Sequence, residues 1–121
     1  MSQSSIFCSF RGDYGMASLE SKFQSDLVKQ LEKIFPTAII FKNEGKQGLP
    51  DITVLHENGW ALLECKRSKD SRHQPNQDYY VNKANEMSFS SFIYPENQEE
   101  VLDALQQAFR TGRETRLSES E

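Results

Sequence analysis

The sequence predicts an α/β fold, a mixed four-stranded sheet flanked by helices in the order αβββαβ, with one further helix at the C-terminal end. Three observations lead there. Apolar residues recur at helical spacing between Ala17 and Phe35 and again from Val101 to Phe109. Two alternating runs, Ile52–Leu55 and Leu62–Lys66, flank Glu57-Asn58-Gly59, and Asn-Gly between apolar runs is the strongest short-range signal for a hairpin. Short apolar runs at Ala38–Phe41 and Met87–Tyr94 then supply one strand on either side of that hairpin in sequence.

In order along the chain, residues 1–16 are Ser- and Gly-containing and read as a loose segment. Leu19, Phe23, Leu27, Leu31 and Ile34 form the buried stripe of the first helix, which Pro36 stops. Ala38-Ile39-Ile40-Phe41 is a β-branched strand, and Lys42–Leu49, with Gly45 and Gly48, is a flexible connection. The hairpin of residues 51–66 follows. With Asn58-Gly59 as its two-residue turn, Glu57 pairs with Trp60, Thr53 faces Glu64 and Asp51 faces Lys66. Side chains alternate between faces. One face carries Asp51, Thr53, Leu55, Leu62, Glu64 and Lys66; the other carries Ile52, Val54, Ala61, Leu63 and Cys65 and is the core face. Pro75 suits the first position of the second helix, with Gln77, Tyr80, Val81 and Ala84 on one side of it. Asn97 followed by Glu100 marks the start of the last helix and Gly112 its end, leaving 113–121 as a disordered tail. Residues 17–112 are therefore a single domain.

Composition bounds the function. With 36% hydrophobic and 26% charged residues the chain reads as a soluble globular protein, and no run approaches the roughly 20 apolar residues of a membrane span. The N-terminus lacks a basic segment followed by an apolar one, so no secretory signal is expected. The two cysteines, Cys8 and Cys65, give no disulfide framework, and reduced thiols in the cytoplasm are the expectation. A net charge of −4 argues against non-specific coating of nucleic acid. The charge is uneven, however: residues 1–83 hold 11 basic and 10 acidic side chains, residues 84–121 only 3 basic and 8 acidic. Lys66, Arg67, Lys69, Arg72 and His73 cluster just past the hairpin, as either a phosphate-holding loop or a plainly solvated one.

The polar face of the hairpin carries the chemistry. Asp51 and Glu64 are diagonal neighbours in this register, about 7–8 Å apart at the backbone. Carboxylates held that close repel, and Lys66 compensates only one of them. A hard divalent cation bound through carboxylates and waters resolves the conflict.

Pro50-Asp51 at the start of one strand and Glu64-Cys65-Lys66 on the next, after a helix bearing a glutamate, resemble the PD-(D/E)xK nuclease superfamily. The element order resembles its restriction-endonuclease-like core. The small size and Gln74-Pro75-Asn76-Gln77 at the next helix start are similar to its virus-type replication-repair nuclease (VRR-NUC) group, related to Holliday-junction resolvases. The resemblance covers roughly residues 17–110 and departs from the pattern at Cys65, where a bulky aliphatic is usual. It implies a Mg²⁺- or Mn²⁺-dependent DNA endonuclease of DNA repair or recombination, nicking or selective for branched or junction DNA, leaving a 5′-phosphate and a 3′-hydroxyl and acting as a homodimer. The implied metal ligands are Asp51, Glu64 and the backbone carbonyl of Cys65, with Glu20 as an additional carboxylate; Glu44 is the rival for that last role. Lys66 is the implied catalytic lysine. Gln77 matches the group's glutamine, though on a helix's apolar side it is equally a packing residue. Arg67, Lys69, Arg72 and Lys83 are the candidate DNA contacts, and Tyr79 and Tyr80 either stack on bases or pack. His56 and His73, lone histidines, are expected at the surface, and the Cys65 thiol is expected to be a small core group. The alternative is a catalytically silent nuclease-like module that binds nucleic acid or a protein partner.

Overall fold

A computed structural model of the chain describes the backbone of residues 15–45 and 47–120 and the side chains of residues 20–45 and 47–113. The expected loose segment falls almost wholly outside the described residues, as does Cys8. The elements are α1 (Gly15–Ile34), β1 (Ile39–Lys42), β2 (Ile52–His56), β3 (Gly59–Cys65), α2 (Pro75–Met87), β4 (Phe89–Ile93) and α3 (Gln98–Ser120). The strands lie in the order β1-β2-β3-β4. The first two junctions are antiparallel and the last is parallel, with α2 as the crossover between β3 and β4. This is the expected mixed four-stranded sheet flanked by helices.

The alternation in the hairpin determines which side is core. Ile52, Val54, Ala61, Leu63 and Cys65 are all fully buried, and they form one cluster with Leu27 and Leu31 of α1, Ile93 of β4, and Leu105 and Phe109 of α3. Each large aliphatic side chain buried there contributes roughly 1.5–3 kcal/mol. Val81 and Ala84 of α2 are buried outside that cluster, and α2 packs on β3 and β4. The sheet is therefore covered by α1 and α3 on its apolar face and by α2 on part of the other. No helix among the described residues is long and apolar enough to cross a membrane.

The hairpin register differs from expectation by two residues. His56 pairs with Gly59, Thr53 with Leu62 and Ile52 with Leu63, so the turn is Glu57-Asn58. An Asn-Gly turn of the favoured type needs positive φ at both residues. Among the described residues no non-glycine residue has positive φ, and Gly59 takes φ of 153° just after the turn. A shift of two preserves the faces, because side chains alternate with period 2. It brings Asp51 level with Glu64 instead of Lys66.

Gly112 does not end the last helix. It is absent from the glycines with positive φ, as a left-handed cap requires, and α3 continues to Ser120. Its smallness serves close approach: a Cβ at this position would overlap the carbonyl oxygen of Asn58 in the hairpin turn. Gly112→Ala gains roughly 1 kcal/mol of helix propensity but forces α3 off the turn. A net loss of up to about 2 kcal/mol is expected, since overpacking typically costs about 1–3 kcal/mol, and thermal unfolding at pH 7 measures it.

Candidate active site

The polar ends of β2 and β3 meet where α2 begins. Pro50 is fully buried, and Asp51 follows it with its Oδ2 accepting the Cys65 backbone N–H at 2.9 Å. In an extended strand the N–H and C=O of one residue point to the same side. The Cys65 carbonyl therefore also faces the Asp51 side of β3. The next N–H, of Lys66, points the other way and donates to Ile93 O at 2.9 Å.

Glu64 and Lys66 are the buried charges of this face, 4% and 8% exposed. The Lys66 ammonium donates to Gln77 Oε1 at 2.7 Å and to the Arg72 carbonyl at 3.1 Å, and lies 3.9 Å from Glu64 Oε2. Gln77 is held in turn by its place in the first turn of α2, where its Oε1 also accepts the Gln74 N–H at 3.1 Å. Both residues are where a helix N-terminus is pre-formed, with Pro75 in its first turn. Gln77 thus contacts the lysine directly and is more than a packing residue.

Electrostatics tie the carboxylates together. Burial pushes the Glu64 carboxyl up to about 8, the facing Asp51 carboxylate adds to the rise, and Lys66 opposes it. Asp51 is raised, chiefly by burial, against the Cys65 hydrogen bond and Lys66. Glu20 is raised as well, by burial and then by Asp51, with Lys66 and Arg67 pulling it down. Glu20 therefore shares the field of the site. Because α1 begins at Gly15, it lies past the first turn, beyond the reach of the helix dipole that would favour an acid there. Glu44 is exposed.

These groups fit a divalent cation. Three carboxylates share one field, the ionised form of each is disfavoured by burial, and Lys66 is the buried counter-charge. Asp51 Oδ1, Glu64 and the Cys65 carbonyl offer hard oxygen donors of the kind Mg²⁺ and Mn²⁺ take. Among the described residues no three His, Cys, Asp or Glu side chains converge as a complete metal-ligating group. A cation here would have two carboxylates and a backbone oxygen from the protein, with waters completing the shell.

Arg67, Lys69, Arg72 and Lys83 are all exposed. Arg67 is close enough to act on Glu20, and the Arg72 backbone, rather than its side chain, is built into the site. Lys83 lies on α2 beyond Gln77, turned to another side of the helix. Tyr79 is exposed and its ring meets Tyr80 edge-on at 5.2 Å. Cys65 is fully buried and its thiol is pushed up by burial, as a core group should be. His73 is exposed, stacked 4.0 Å over Phe92, with Nδ1 3.0 Å from Asp78. His56 is half-buried, stacked 4.5 Å from Phe109 and edge-on to Phe35.

One contributor carried no sequence signal. Asn43, just past β1, donates from its backbone to Asp51 O at 2.7 Å and from Nδ2 to Pro50 O at 2.7 Å, and accepts from Thr53 Oγ1 at 2.8 Å. Its partners are mostly backbone atoms, which no residue pattern announces.

Comparison of the chain with protein-family models, with curated proteins and with solved structures finds no match.

Proposed function

We propose that the chain is a Mg²⁺- or Mn²⁺-dependent DNA endonuclease with a restriction-endonuclease-like core, nicking or selective for branched or junction DNA. The observation that carries this reading is the burial of Glu64 and Lys66 beside Asp51 on one sheet face, with the Glu64 carboxyl pushed up to about 8. Perturbed titratable groups gather at functional sites.

When bound, the cation acidifies the attacking water and offsets charge building on the scissile phosphate. Asp51, Glu64 and the Cys65 carbonyl hold it, and Glu20 strengthens the negative field. Lys66 presents a fixed positive charge to the phosphate or the water, with Gln77 and the Arg72 carbonyl setting its direction. Water adds at phosphorus and the bond to the 3′-oxygen breaks, leaving a 3′-hydroxyl and a 5′-phosphate. Arg67, Lys69, Arg72 and Lys83 are the proposed contacts to the DNA backbone. A homodimer acting in the cytoplasm completes the reading. Ile39, Phe41 and Leu55, exposed together on neighbouring strands at the β1 edge, support self-association.

The test is a labelled panel of single strand, duplex, flap and four-way junction, each with Mg²⁺, Mn²⁺ or EDTA. Wild type cuts at least one substrate with metal and none in EDTA, and Asp51→Asn and Glu64→Gln lose the cutting. A folded wild type that cuts nothing favours instead a silent module binding nucleic acid or a protein. The lack of a three-side-chain metal group among the described residues is the observation on that side.

A further inference from the structure

We propose that Asn43 is the positioning residue for the Asp51 carboxylate, the residue through which the edge strand β1 determines where that carboxylate stands. The inference rests on the reading of Asp51 as a ligand only for its functional consequence; the placement itself is independent of metal.

Asp51 lies outside β2, in the bend before Ile52, so the sheet ladder alone does not hold it. Two sets of bonds do. One is direct, from the Cys65 N–H to Oδ2. The other is the grip of Asn43 on the segment around it: the backbone bond to Asp51 O extends the β1–β2 ladder one step past Lys42 and Ile52, and the side chain bonds Pro50 before it and Thr53 after it. Thr53 is buried on the same face as Glu64, so its hydroxyl has little access to water in place of Asn43.

The residue type follows from this. Pro50 O needs a donor and Thr53 Oγ1 needs an acceptor, both from one short planar group, and an amide offers both. An aspartate at position 43 keeps the acceptor, loses the donor and adds a charge beside Asp51. Alanine keeps only the backbone bond. Gly45 and Gly48, with φ of 104° and 90°, let the chain turn back so that residues 43 and 50 meet, and Gly48 lies against the side chain of Asn76 in α2.

The experiment is amide hydrogen exchange by NMR on the ¹⁵N-labelled full chain in EDTA, comparing wild type with Asn43→Ala and Asn43→Asp. The Cys65 N–H reports the Asp51 carboxylate and the Lys66 N–H reports the β3–β4 ladder. Loss of the placement is expected to speed Cys65 exchange about tenfold or more in Asn43→Ala, with Lys66 unchanged. Asn43→Asp is expected to fall between it and wild type, and is read in the same way if the alanine variant does not fold. Unchanged Cys65 exchange overturns the proposal. So does equal acceleration of Cys65 and Lys66, which reports a loosened sheet and not a displaced carboxylate.

Mn²⁺ is then titrated into matched samples exchanged out of EDTA. Selective broadening around Asp51 and Glu64 is expected in wild type, needing roughly tenfold more Mn²⁺ in Asn43→Ala, the scale of lost outer-shell support. Absence of broadening in wild type sinks the metal reading, while the exchange rates still decide the role of Asn43.

Discussion

In EDTA the stability of the protein is expected to fall as pH rises from about 4.5 to about 8, opposite to the behaviour of a protein held by surface ion pairs. The cause is Glu64, whose carboxyl stands near 4.5 when unfolded and about 8 when folded. Between those values the folded state keeps a proton that the unfolded state has released, so raising the pH favours unfolding. The stabilising contribution is complete below the unfolded value and lost by the folded one. Each unit in that window is worth about 1.4 kcal/mol, which makes the loss several kcal/mol, a large part of a small domain's stability. Asp51 and Glu20 are raised too and act in the same direction. Glu64→Gln removes the titration: its melting temperature should exceed that of wild type at pH 8.5 and depend on pH far less. Saturating Mg²⁺ should counter the fall in wild type, because a cation binds the deprotonated oxygens and stabilises the folded state by mass action. Melts in EDTA and in Mg²⁺ that superimpose at pH 8.5 would show a buried acid cluster with no affinity for a cation.

What could be read in the sequence divides along physical lines. Period-2 alternation in Ile52–Leu55 and Leu62–Cys65 determines faces, and faces brought Asp51, Glu64 and Lys66 to one side whatever the exact pairing. The pairing itself was not legible, because Asn58-Gly59 signals a turn without saying which residue takes the positive φ. Here only Gly59 does, and the turn moves back by one residue on each strand. Gly112 was ambiguous for a related reason: a glycine at the end of an apolar stripe reads alike whether it caps a helix or lets one backbone touch another. Gln77 was legible through Pro75, which locates the helix start, but its bond to Lys66 required knowing that α2 crosses above β3. The bonds of Asn43 and the aromatic stacking of His56 depend on contacts between segments distant in sequence, with no repeat or spacing to betray them.

Lys66 should prove the least replaceable residue of the chain for activity. The residue is 8% exposed, its ammonium in a slot made by Gln77 Oε1, the Arg72 carbonyl and, further off, Glu64. Lys66→Met keeps the length and the packing of the stem and removes only the charge and its hydrogen bonds. Loss of a fixed charge aimed at the reacting phosphate typically costs roughly 10²- to 10³-fold, and a fall of that size in metal-dependent cutting is expected. Lys66→Arg should not rescue it. A planar fork of five donors does not fit a slot built for a point charge between acceptors at 2.7 and 3.1 Å. Removing the ammonium also removes the charge that lowers the Glu64 carboxyl, so Glu64 should hold its proton to still higher pH. In EDTA the fall in stability of Lys66→Met should therefore extend above pH 8. Cutting within a few-fold of wild type by Lys66→Met would remove the lysine from the chemistry. The carboxylates and the Cys65 carbonyl would then be the whole of the site.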